Sequence, residues 1–138
     1  MKYQELGYPC RNFCIMASER FLDPLDQKQK FALSSFVAGG TGIIAIIDIE
    51  SGNGERIEIP ADEGAWALLC WNNERLLVGT CSRYGYLHCL DLKTRTWLPS
   101  LKDEHEKYFW NLVEGSDGRI YGGTWPGGVL LRYNPVEH

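Results

Sequence analysis

The chain has 138 residues, 44% of them hydrophobic and 12% aromatic, and a formal net charge of −4 at pH 7. That length suits one domain, and the negative balance removes the electrostatic case for nucleic acid or an anionic membrane surface as partner. No run of about 18 apolar residues is present, so no transmembrane helix is expected, and Met1-Lys2-Tyr3-Gln4-Glu5 lacks the apolar core of a signal peptide.

In chain order, Met1 to Pro9 is unassigned, with Tyr3 to Leu6 as a candidate edge strand. Asn12 to Ala17 reads as a first inner strand, and Phe21 to Lys30 as a polar insertion with one helical turn. Phe31 to Ala38 is a second strand, Ile43 to Ile49 a third, and Arg56 to Ile59 a fourth, ended by Pro60. Next come Trp66 to Trp71, a tight turn at Asn72-Asn73-Glu74, Arg75 to Thr80 (apolar on both faces), Gly85 to Asp91, and Thr96 to Leu98, ended by Pro99. The last segment has Trp110 placed 14 residues before Thr124, as Trp66 stands before Thr80. Its Asp117-Gly118 is a hairpin turn signal, and Arg119 to Thr124 is its second strand. Gly39-Gly40-Thr41 is expected to match Gly122-Gly123-Thr124.

Gly42, Gly85 and Gly128 recur every 43 residues, and Asp48, Asp91 and Asn134 follow each by six. A period of 40 to 50 residues built from short strands marks β-propeller blades. The expected fold is all-β, a partial β-propeller of about three four-stranded antiparallel blades within a single domain, 1–138. The repeats fall at about 10–60, 61–100 and 105–138, the last of them incomplete, and 1–9 is the candidate closing strand. The periodic Gly and Asp/Asn residues read as structural punctuation that opens and closes each third strand.

Strings such as Asp117-Gly118-Arg119-Ile120-Tyr121-Gly122-Gly123-Thr124 and Leu130-Leu131-Arg132-Tyr133-Asn134-Pro135 resemble repeats of the YVTN, NHL and gluconolactonase-like β-propellers, over residues 31 to 135. The resemblance implies a propeller and leaves activity open, since that superfamily includes scaffolds, sugar-lactone hydrolases and streptogramin lyases. No metal ligand aligns, so none is carried over.

Three blades pose a physical problem, because each blade buries both faces against neighbours. With about five apolar side chains per face at roughly 2 kcal/mol each, a bare face forfeits about 10 kcal/mol, as much as the whole stability of a typical domain. Completion by a second copy, as a homo-oligomer with a dimer forming a six-bladed ring, or by the remainder of a longer propeller, is therefore expected over an open monomer.

The leading functional expectation is a ligand- or protein-binding scaffold, more a binding protein than an enzyme. The alternative is a metal-dependent lactone hydrolase or lyase with its site at the central mouth. Loops at one mouth carry Arg83, Tyr84 and Trp125, the candidate ligand contacts; Trp125 on its Pro-Gly-Gly loop suits stacking on a sugar or a peptide side chain. His105 between Glu104 and Glu106 is the weak catalytic candidate, read first as a solvated charge run. Trp66 and Trp110 are expected to pack structurally, and His88 to be a satisfied core histidine. No cofactor is expected, and a divalent metal enters only under the hydrolase alternative. Five cysteines, an odd number, include Cys70 and Cys89 inside apolar strands. They read as small buried hydrophobes in a reducing compartment, the cytoplasm, and Cys10-x3-Cys14 is no finger-type zinc spacing.

Overall fold

The computed structural model describes Gln4 and residues 14–138. The rest of 1–9, with the candidate edge and closing strand, and Cys10 to Phe13 lie outside the described residues. Twelve antiparallel strands make up the described regular structure, and they fall into three groups. The first holds β1 (Cys14–Leu22), β2 (Gln29–Phe36), β3 (Ile43–Asp48) and β4 (Gly54–Glu58). The second holds β5 (Gly64–Trp71), β6 (Arg75–Cys81), β7 (Tyr86–Asp91) and two short outer pieces, β8 (Thr96–Trp97) and β9 (Leu101–Lys102), both paired to β7. The third holds β10 (Tyr108–Glu114), β11 (Ile120–Trp125) and β12 (Leu130–Tyr133).

Consecutive groups are joined by one rung each, Phe36 to Gly64 and Cys81 to Tyr108. With Cys14–Phe36, Gly64–Cys81 and Tyr108–Trp125 these rungs make a single row of backbone partners across every group. Away from that row the groups pack through side chains around two cores. Between the first and second groups lie Phe21, Ile44, Ile46, Ile59, Leu68, Leu76, Val78 and Leu90. Between the second and third lie Ala67, Leu77, Leu87, Cys89, Phe109, Ile120 and Tyr133. The period-2 alternation of a strand sends Leu76 and Val78 to one core and Leu77 to the other. A strand buried on both faces reads as a continuous apolar run, which accounts for Arg75 to Thr80.

The periodic glycines sit where one group's backbone touches the next. A Cβ on Gly42 would lie 2.6 Å from Gly64 Cα, and one on Gly85 would lie 2.4 Å from the Lys107 carbonyl carbon. Gly85 and Gly128 also hold left-handed φ angles of +67° and +69°, but a Cβ on Gly128 would meet nothing within 4 Å. The residues six positions on close Asx turns. Asp48 accepts from the Glu50 and Ser51 N–H groups, Asp91 from Lys93 and Thr94, and Asn134 from Val136. The Ser51 N–H, ahead of the other donors, holds the Asp48 carboxyl down at about 2.

Arginines of the second group tie both seams. Arg95 pairs with buried Asp23 and, at 2.8 Å, with Glu55, while Arg75 donates to the Pro135 carbonyl. Burial pushes the Asp23 carboxyl up, but Lys30 at 2.7 Å, the Leu25 N–H and Arg95 together outweigh it and hold the group below its ordinary range.

The first group departs from the sequence reading. The segment 21–30 is not a wholly polar insertion: β1 runs through Leu22, β2 starts at Gln29, and the connection at 23–28 holds the one expected helical turn, closed by the Gln27 N–H on the Asp23 carbonyl at 2.8 Å. β2 ends at Phe36 rather than Ala38. Ser34 and Ser35, not Gly40 and Thr41, therefore match Gly123 and Thr124, because the loop before β3 is longer than its counterparts in the other two groups. Among the described residues no helix is long and apolar enough to cross a membrane.

The glycine geometry predicts a contrast. Gly128→Ala should cost about 1–2 kcal/mol, the left-handed strain alone. Gly85→Ala should cost roughly 3 kcal/mol or more, because overlap with Lys107 adds to the same strain. Urea unfolding of the two variants measures the difference; equal costs would mean that the close approach at Gly85 carries no weight.

Candidate functional site

The end of the sheet marked by the row of rungs is held by hydroxyls and acids. Ser35, Thr80 and Thr124 occupy the same place, one residue before the strand end, and all three are buried. Ser35 Oγ accepts from the Ile43 N–H at 2.9 Å, Thr80 Oγ1 accepts from Tyr86 N–H at 2.7 Å, and Thr124 Oγ1 donates to the Val129 carbonyl at 2.9 Å. Each hydroxyl latches the start of the following strand.

Asp62, buried and with φ of +79°, clamps the loop between β6 and β7. Its carboxylate accepts from the Arg83, Tyr84 and Gly85 N–H groups at 3.0, 2.8 and 2.9 Å and from the Thr80 hydroxyl. Glu106, 44 residues later, does the same for the next loop with one donor, the Gly127 N–H at 3.0 Å. Beside Asp62, Glu63 accepts from Ser82 Oγ at 2.7 Å, Gly39 N–H at 2.9 Å and Arg83 Nε at 3.1 Å. The Ser82 hydroxyl first, then the Gly39 N–H and Arg83, hold its carboxyl below the ordinary range.

Above these clamps lies a cluster of aromatic rings. Trp66 and Trp110 meet edge to face with centroids 4.8 Å apart, Tyr108 stacks on Trp110 at 5.5 Å, and Trp125 meets Tyr108 edge-on at 5.2 Å. Trp66, Trp110 and Trp125 remain 37%, 45% and 48% exposed. The cause is local. Each inner strand carries a β-bulge at the same register, at Met16 in β1, Trp66 in β5 and Trp110 in β10. A bulge leaves one residue unpaired and re-aims its side chain. Plain alternation back from Leu68 would put Trp66 in the first core, but the bulge hands that place to Ala65. Trp66 and Trp110, whose repetition argues structural packing, do pack on each other, and the bulges leave both partly exposed. The signal for this is the spacing of three between core residues Ala65 and Leu68, in place of two.

The loop residues singled out by sequence fall in two places. Arg83 is held by Glu63, and Tyr84 stands next to Tyr86 at 5.9 Å with Lys102 Nζ 5.3 Å from the Tyr84 ring centroid. Trp125 belongs instead to the Trp66–Trp110 cluster. The backbones of both loops leave the same end, since Tyr108 pairs with Cys81 on one side and Trp125 on the other. Glu104 and His105 are exposed, with the His105 N–H on Asp103 Oδ1, whereas Glu106 is buried under Gly127. Among the described residues, no three His, Cys, Asp or Glu side chains are grouped to hold a metal.

His88 is buried with Nδ1 2.7 Å from Ser100 Oγ, but Nε2 has no partner, so its bonding is only half satisfied. Burial pushes its pKa down to about 4. Burial likewise pushes the Cys70, Cys81 and Cys89 thiols up to about 11, 12 and 11, which leaves them protonated and unreactive. No protein-family model, no curated protein and no solved structure matches this chain.

Asp62→Ala strands three backbone donors and should cost about 3 kcal/mol in urea unfolding; a loss under 1 kcal/mol would show the loop does not depend on the clamp. For His88, the unfolded chain binds a proton near pH 6.5 and the folded chain only near 4. Its contribution is thus complete above 6.5 and is lost as pH falls toward 4, about 2 kcal/mol of it by pH 5. His88→Leu should flatten the stability profile between pH 7 and 5; an unchanged slope contradicts the assignment.

Proposed function

We propose that this chain is a three-bladed part of a β-propeller and acts as a binding scaffold, its ligand held by Trp66, Tyr108, Trp110 and Trp125. The three strand groups are its blades, with β1, β5 and β10 innermost, and the ring is completed by further blades. Support comes from the recurring register: the same bulge, the same hydroxyl latch and the same Asx turn in each group. The carrying observation is the Trp66–Trp110 contact at 4.8 Å between rings both more than a third exposed. Large aromatic surface left in water on rigid strands marks an interaction site. Such faces take sugar rings or peptide side chains, including cationic ones, and the net charge of −4 disfavours anionic ligands.

The hydrolase alternative needs acids or imidazoles that converge, and Glu104, His105 and Glu106 point to separate surroundings. Burial of protonated, unpaired thiols suits a reducing compartment, and on that ground we assign the protein to the cytoplasm.

Tryptophan fluorescence titrated with neutral oligosaccharides and with Arg- and Pro-containing peptides tests the reading. One class should give a saturable change. Trp110→Ala should weaken it at least ~10-fold, about 1.4 kcal/mol, while exposed Val136→Ala leaves it unchanged. No saturable response from either class, or full binding by Trp110→Ala, would refute it.

A further inference from the structure

A cavity of about 190 Å³ opens between the second and third groups, lined by Leu87, Leu101, Phe109, Ile120, Leu131 and Tyr133 among others. The corresponding place between the first and second groups is filled. There Trp97, on outer strand β8, pairs with Leu90, packs on the core, stands 5.7 Å from the His88 ring and donates Nε1–H to the Glu58 carbonyl at 3.0 Å. Tyr133 holds the register place of Leu90, 43 residues on. β3 carries β4 and β7 carries β8 and β9, but β12 has no outer partner among the described residues. The cavity thus lies where a large side chain from a strand on β12 would sit.

The sequence holds a segment of that kind. The first group's outer strand ends at Glu58 and runs on as Ile59-Pro60, giving an apolar-x-apolar-Pro pattern at Ile57-Glu58-Ile59-Pro60; the second's short outer strand runs on as Leu98-Pro99; and the bulge at Trp66 comes six residues after Pro60. Leu6-Gly7-Tyr8-Pro9 repeats the apolar-x-apolar-Pro pattern, with the Met16 bulge seven residues after Pro9. We propose that Leu6-Gly7-Tyr8-Pro9 of a second copy of this chain pairs with the β12 edge and fills the cavity, each copy giving and receiving one strand. This rests on the propeller reading in treating the groups as interchangeable.

Three observations favour a second copy over the chain's own segment. From Pro9 to Cys14 the chain can span at most about 17 Å at full extension, whereas the third group lies two sheet spacings of about 10 Å each beyond the first. The outward faces of the terminal groups both leave large apolar side chains in water, Val113 57% and Leu130 70% exposed on the third and Phe31 38% exposed on the first. The open space at Gly128 is the place where, at Gly42 and Gly85, the following group's lead-in packs. A two-fold pairing satisfies both faces and both edges at once, and strand addition supplies the main-chain hydrogen bonds.

The test is the mass of the full chain by light scattering at micromolar concentration, which should be twice 15.7 kDa. Leu6→Ala with Tyr8→Ala, and separately Leu131→Arg, both checked for folding by circular dichroism, should each raise the dissociation constant at least ~10-fold. A synthetic peptide of residues 2–9 in excess should dissociate the wild type. A monomeric wild type overturns the proposal, as does a dimer that survives both variants and the peptide. The tryptophan titration on the same samples separates the two ideas: a monomer that still binds ligand overturns the docking alone, and a dimer that binds none overturns the scaffold reading alone.

Discussion

Backbone touches backbone at Gly42 and Gly85, and the arrangement of the rest of the chain depends on that approach. A side chain at either place would push the next strand group away. Without one, single rungs at Phe36–Gly64 and Cys81–Tyr108 bring the three strand groups together at one end of the sheet. From there the groups part and their inner faces close on two cores that share the second group. Hydroxyls at Ser35, Thr80 and Thr124 and acids at Asp62 and Glu106 then hold the loops beside the row of rungs, so the same end of the sheet is both the junction and the best-tied surface.

That rigidity gives the aromatic cluster its meaning. Tryptophans on a floating loop would collapse onto the nearest apolar surface. Trp66 and Trp110 instead sit at bulges within long strands, whose flanking residues Ala65, Ala67 and Phe109 are fixed in the cores. The bulge costs ladder bonds and leaves indole surface in water. It recurs at Met16, Trp66 and Trp110 with a large side chain each time, and the proposed binding role rests on that recurrence.

Much of this was legible in the sequence. The 43-residue Gly and Asp/Asn period located β3, β7 and β12 to within two residues, because Asx turns and close-packed glycines are local demands that specify residue type. The first group was harder. Its loop before β3 is longer than the others, which shifted the apparent match from Ser34-Ser35 to Gly40-Thr41, and its polar 23–28 stretch looked like an insertion when it is a hairpin connection between long strands. The packing expected of Trp66 and Trp110 is present, ring on ring at 4.8 Å, but their partial exposure is not legible from alternation, because a bulge changes which face a residue takes without changing composition. Only the spacing between buried neighbours, Ala65 to Leu68, reveals the extra residue.

The most direct measurement for the account as a whole is small-angle X-ray scattering of the full chain, with mass determined at the same concentration. The proposed completion of the ring by a second copy predicts a compact particle of two chains whose scattering fits a closed ring. A single-chain particle whose profile fits an open arc, with the faces of Val113, Leu130 and Phe31 left in water, would contradict it.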